Sequence, residues 1–185
     1  MKRIIRLTES DLTRIVKQTI KETSLSRIHK HLMSHDCAVV TAYRHELNNC
    51  AYDIQFDDKR LNKYQKKDRI KTLKYALEMN GYGVTRVLGT YVENYLTDNA
   101  IEVKEESFFV VNLVDDPKFI DYIITLSKVY CQDSVMIMKK GGNNNYLVGT
   151  NLAWPGLGKI VKMGDFKPAK EGEFMTKVND RPFIV

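Results

Sequence analysis

The stretch Glu105-Glu106-Ser107-Phe108-Phe109-Val110-Val111-Asn112-Leu113-Val114 constrains the fold more than any other part of the chain. It is short, free of Gly and Pro, and closed by charge at one end and by Asp115-Asp116-Pro117 at the other. A brief continuous apolar run with such borders reads as a strand buried on both faces, near the middle of a sheet. Such a strand needs neighbours on both edges and cover on both faces, and the flanking segments supply them.

Cys37 to Arg44 reads as a first strand. A helix follows from about Lys59 to Asn80, burying Leu61, Tyr64, Ile70, Leu73, Ala76 and Leu77, with Gly81 as a left-handed stop. Val84 to Val92 is a second strand, in which Gly89 suggests a bulge. After the Phe108–Phe109 strand, Asp115 or Asp116 caps a helix with Pro117 in its first turn and a stripe of Phe119, Ile123, Leu126 and Tyr130. Ser134 to Lys139 is a further strand, and Gly141-Gly142-Asn143-Asn144 turns the chain into Tyr146–Thr150. Strand, helix, strand, strand, helix, strand is the split βαβ order. It predicts an α+β fold of ferredoxin-like type, an antiparallel sheet with both helices on one face. N-terminal helices or the tail would cover the other face.

Three regions result: a basic amphipathic leader helix (1–22), the α+β domain (23–150) and an irregular, wrapping C-terminal extension (151–185) with a terminal hairpin. The leader concentrates the charge. Residues 1–30 hold eight Lys/Arg against three Asp/Glu, while the rest is nearly balanced. A body built to track phosphates would spread its excess, so nucleic acid is not the favoured partner. The helix face Lys63, Lys66, Lys67, Arg69, Lys71 and Lys74 reads as a solvated surface. No apolar run approaches the roughly 18 residues of a membrane span, and a membrane partner is not expected.

Cys37, Cys50 and Cys131 are odd in number and lack CxxC spacing, which points to a reducing cytosol with each acting as a small hydrophobe. His31 and His35 lie one helical turn apart without the Glu of an HExxH site, so no metal is expected. Gly156-Leu-Gly-Lys159 lacks the first Gly and the Ser/Thr of a phosphate loop. No cofactor is predicted.

Two resemblances add to this. The opening, with its basic helix ending in Ile20-Lys21-Glu22, resembles leaders of head proteins of large tailed bacteriophages. In those, a maturation protease cuts after Glu in Leu/Ile-x-Glu. From Thr41-Ala42-Tyr43-Arg44 through Gly81-Tyr82-Gly83, Gly89 and Glu106-Ser107-Phe108 to Gln132-Asp133-Ser134, the middle resembles bacterial and phage proteins of domain of unknown function family 3293. That resemblance implies the fold and a phage or bacterial cytosolic setting.

It also suggests a ligand site. Tyr43 and Arg44 end one strand, Glu106 and Ser107 begin another, and Gln132 and Asp133 precede a third, with Lys67 and Arg69 leaning over from the helix. Such a group suits a small anionic or nucleotide ligand. The plainer alternative is that Glu106 pairs with Arg44 or Arg86 and Gln132 satisfies a helix end. The functional expectation is a phage-encoded accessory protein, packaged in the virion head and acting by binding phage structural or host proteins through its N-terminal helix. The alternative is a small nucleotide-binding protein or enzyme of the host cytoplasm, acting against host defence.

Overall fold

The computed structural model describes residues 27–44, 47, 49–52, 60–93, 101–164, 167–168, 174–178 and 181–184. The expected leader 1–22, with Ile20-Lys21-Glu22, lies outside them. Residues 27–34 are helical (α1). β1 (Cys37–Val40), α2 (Lys63–Met79), β2 (Gly83–Glu93), β3 (Ile101–Val111), α3 (Phe119–Val129) and β4 (Ser134–Met138) follow. Then come β5 (Asn145–Gly149), β6 (Ile160–Lys162), β7 (Lys167–Pro168), β8 (Phe174–Val178) and β9 (Arg181–Ile184).

The strands form one sheet in the order β6-β5-β4-β1-β3-β2-β8-β9-β7. The pairings on both sides of β1, of β2 and of β4 are antiparallel. The central β4-β1-β3-β2 run is the arrangement the split βαβ order predicts, so the α+β expectation is met. The extension differs from its reading as a wrapping loop. Within 151–173, β6 adds an edge beyond β5, while the expected terminal hairpin is β8–β9, which continues the sheet from β2. Gly89 makes no bulge on the β2–β3 side: it sits opposite Glu105 in an unbroken register from Gly83 to Glu93.

Phe108, Phe109, Val110 and Val111 are all buried, and alternation sends them to two cores. Phe108 and Val110 join Ala38, Val40 and Ala42 under Leu73 and Leu77 of α2 and Phe119 and Ile123 of α3. Phe109 and Val111 join Cys37, Met136 and Met138 under Ile28 and Leu32 of α1. Burying each large side chain contributes roughly 1.5–3 kcal/mol before the entropy of ordering is set against it. Tyr82 meets Phe119 edge-on at 5.0 Å, which fixes the base of α3 against the start of β2.

Both long helices close with the same double hydrogen bond. At α2, Gly81 N–H donates to the Glu78 carbonyl and Tyr82 N–H to the Leu77 carbonyl, with Gly81 at φ +77°. At α3, Cys131 N–H donates to Lys128 and Gln132 N–H to Ser127, and the left-handed residue is Cys131, φ 56°. A cysteine there pays a backbone cost that glycine avoids. Asp116 does serve α3, accepting from Lys118 N–H at 2.9 Å, but the residue at the cap is Lys118 and Pro117 precedes the helix.

Candidate functional site

The termini of β1, α3 and β5 and the start of β4 meet at one end of the sheet. The end of α3 there presents the carbonyl of its cap residue Tyr130, at the negative pole of the helix, and beyond it the carbonyl of Cys131. Two arginines answer it. Arg69, reaching in from α2, donates from Nη2 to the Tyr130 carbonyl at 2.5 Å and from Nε to the Ala42 carbonyl at 3.3 Å. Its guanidinium lies 5.2 Å from the Tyr130 ring centroid. Arg44, just past β1, donates to the Cys131 carbonyl and pairs with Asp133 at 2.9 Å. Burial pulls the Arg69 guanidinium below its ordinary value, and Arg44 beside it acts the same way. Burial raises the Tyr130 phenol, while Arg69 opposes that shift.

Gln132 is buried and donates from Nε2 to the Tyr130 carbonyl at 3.0 Å, and its own carbonyl accepts from Thr150 Oγ1 at 2.7 Å. Asn151, fully buried, donates to the Asp133 carboxylate at 2.9 Å. Gly149 is required here, since a Cβ on it would fall 1.9 Å from the Gly156 carbonyl oxygen. Cys131 is bonded to Cys50, with Cα atoms 4.9 Å apart. This corrects the expectation of three free thiols: spacing within a sequence does not reveal a pair brought together by folding across 81 residues. Cys37 alone is free, and burial pushes its thiol up to about 12. The bond ties the segment around Leu47 and Leu61 to the end of α3.

Glu106 sits beside this cluster. Its carbonyl accepts from Thr41 Oγ1 at 2.6 Å, and the same hydroxyl accepts from Tyr43 N–H at 2.9 Å. Its carboxylate is three-quarters buried and pairs at 2.5 Å with Arg86, whose side chain is 72% exposed. Arg86 and Leu88 lie on the helix side of β2 yet are exposed, so the β2–β3 ribbon runs beyond the helices. Among the described residues, no helix covers that stretch of sheet, which bears Glu106. Tyr43 stands nearby in the chain with the Lys66 ammonium 5.5 Å from its ring centroid.

Of the residues singled out from the sequence, Arg44, Arg69, Gln132 and Asp133 meet around the end of α3. Tyr43 and Glu106 are joined through Thr41. Ser107 is buried on the opposite face of β3, and Lys67 is exposed on α2. Sequence reasoning missed Asn151, which lay beyond the expected domain, and Thr41, which carries no chemical signature of its own. At the opposite end, His35 Nδ1 lies 3.5 Å from Asp115, and the His31 and His35 rings are 6.2 Å apart. Among the described residues no group of three or more His, Cys, Asp or Glu is placed to hold a metal. No described helix is long and apolar enough to cross a membrane.

Fold and site together define a small α+β protein with charged side chains gathered where β1 stops and β4 begins. The family is more specific. Residues 58–185 match the S-adenosylmethionine lyase family, and the chain, matched over more than half its length, belongs to it. No curated protein matches the sequence. The match corrects the resemblance to domain of unknown function family 3293. Two of the pieces that carried that resemblance, Gly81-Tyr82-Gly83 and Gln132-Asp133-Ser134, mark turns and strand entrances of this fold, and such marks do not separate families that share them. It also overturns the expectation of a packaged virion accessory protein acting by binding, because the family is one of enzymes.

Proposed function

We propose that the protein cleaves S-adenosylmethionine without adding water. The observation that carries this is the family match, which takes in α2, α3 and eight of the nine described strands. The substrate has a built-in leaving group, since a sulfonium departs as a neutral thioether. Its own α-carboxylate can attack Cγ: the O–Cγ bond forms, the Cγ–S bond breaks, and the electron pair goes to sulfur. The products are 5′-methylthioadenosine and homoserine lactone. The protein's task is to fold the aminobutyrate arm and exclude water.

Glu106 is the carboxylate we assign to that arm. Facing the sulfonium, it would stabilise a charge that diminishes in the transition state and so slow the step. Facing the α-ammonium, whose charge survives, it anchors the arm without that penalty. Arg86, whose own side chain is largely exposed, must then turn aside into solvent as the ammonium takes its place.

Incubating the full chain with S-adenosylmethionine and separating the nucleosides tests the activity. 5′-Methylthioadenosine with homoserine lactone is expected. Unchanged substrate, or S-adenosylhomocysteine alone, overturns the reading, and 2-aminobut-3-enoate in place of lactone overturns the route. Glu106→Gln should raise KM about tenfold with kcat little changed, the signature of lost uniform binding. A fall confined to kcat would remove Glu106 from this role.

A further inference from the structure

We infer that the outer face of α2 binds single-stranded nucleic acid, independently of the lyase site. At 100° per residue, Lys63, Lys67, Lys71 and Lys74 fall within about 80° of the helix circumference. All four are exposed. Tyr64 and Tyr75 flank them and are 84% and 63% exposed. Leu73 and Leu77 occupy the buried side, and Lys66 lies against Tyr43, so neither helix packing nor the Tyr43 contact uses the stripe.

Helix stability does not account for these lysines. The first turn carries no acidic residue and the last turn no basic one, the reverse of what the helix dipole favours. Lys63/Lys67 and Lys67/Lys71 are like-charge pairs at i, i+4, which destabilise a helix. Among the described residues one ion pair compensates, Lys74 with Glu78 at 3.1 Å near the far end. The helix is held instead by its Asn62–Gln65 capping box. A charge pattern that works against its own element finds its counterion outside it. From Lys63 to Lys74 the stripe spans about 16 Å at 1.5 Å per residue, too long for one phosphate and suited to a polyanion. Tyrosines beside a cationic track offer faces on which unpaired bases stack.

Fluorescence anisotropy with a labelled 20-nucleotide single strand tests this on the full chain. Four phosphate contacts predict an affinity loss of about 50-fold between 50 and 200 mM salt. A Lys63→Gln, Lys71→Gln, Lys74→Gln variant, confirmed as folded by its melting curve, should bind more weakly and show a log–log salt slope smaller by about 2. Because both proteins keep the basic N-terminal segment, its contribution cancels. Tyr64→Ala and Tyr75→Ala should each weaken binding roughly fivefold or more. No binding by the native protein, or an unchanged slope in the lysine variant, overturns the proposal. Displacement by polyglutamate as effective as by unlabelled oligonucleotide reassigns the face to acidic protein. Unaffected tyrosine variants overturn the single-strand assignment.

Discussion

Removing the Cys50–Cys131 bond should cost more stability than any single core contact, yet leave the sheet able to form. The bond spans 81 residues of sequence. For a loop of that size the chain-entropy relation gives about 4.5 kcal/mol of stabilisation, acting by restricting the unfolded chain. At about 2–4 °C per kcal/mol for a domain of this size, Cys50→Ala should lower Tm by on the order of 10–15 °C. Part of the native anchoring survives: Leu152 N–H still donates to the Asn49 carbonyl, and Leu47 and Leu61 still pack beside Cys131. The assay is a thermal melt of native protein, reduced protein and Cys50→Ala, with thiol alkylation in denaturant before reduction. One alkylated cysteine, Cys37, is expected in the unreduced native chain. Three alkylated cysteines, or melting curves that coincide within about 2 °C, would refute the reasoning.

Two further outcomes follow from the same geometry. Tyr82 donates to the Asp116 carboxylate at 2.6 Å, and this bond, with the Lys118 N–H, holds Asp116 below its ordinary value of 3.8. A depressed carboxylate contributes stability that is present above about pH 4 and lost as pH falls through its folded value. Denaturant titrations of Tyr82→Phe between pH 7 and 2 should therefore show a shallower acid decline than the native protein, and parallel curves would exclude the linkage. A chain cut to residues 58–185, the matched region, should fail to give a cooperative melt, because it lacks β1, which lies between β3 and β4. A sharp native-like transition would show that the sheet closes without it.

The central elements were legible for identifiable reasons. Phe108 to Val111 announce themselves because both faces of β3 are buried, and Gly81 because α2 needs a left-handed residue at its end. β6 escaped because its burial pattern is mostly exposed, and β7 because it is only two residues long, so neither shows alternation. Gly89 was misread since a glycine in a strand can sit in plain register. At the site, sequence order could gather Arg44, Glu106, Gln132 and Asp133 at one end of the sheet. It could not show that Arg69 and Arg44 are engaged with the α3 carbonyls, because backbone acceptors leave no mark in a sequence. The disulfide and Asn151 were hidden for a related cause, since both depend on contacts between residues distant in the chain.

The position of β1 also bears on how the chain is made. Cys37 to Val40 leave the ribosome early, but their partners at 108–111 and 136–138 appear some 70 to 100 residues later. At roughly 5–20 residues per second, that is a wait of several seconds or more. Throughout it, a short apolar segment with two unsatisfied edges has no partner strand, the situation that invites off-pathway pairing. Slowing elongation lengthens that interval and speeding it shortens it, so the yield of native protein should follow translation rate more closely than the modest size of the chain suggests.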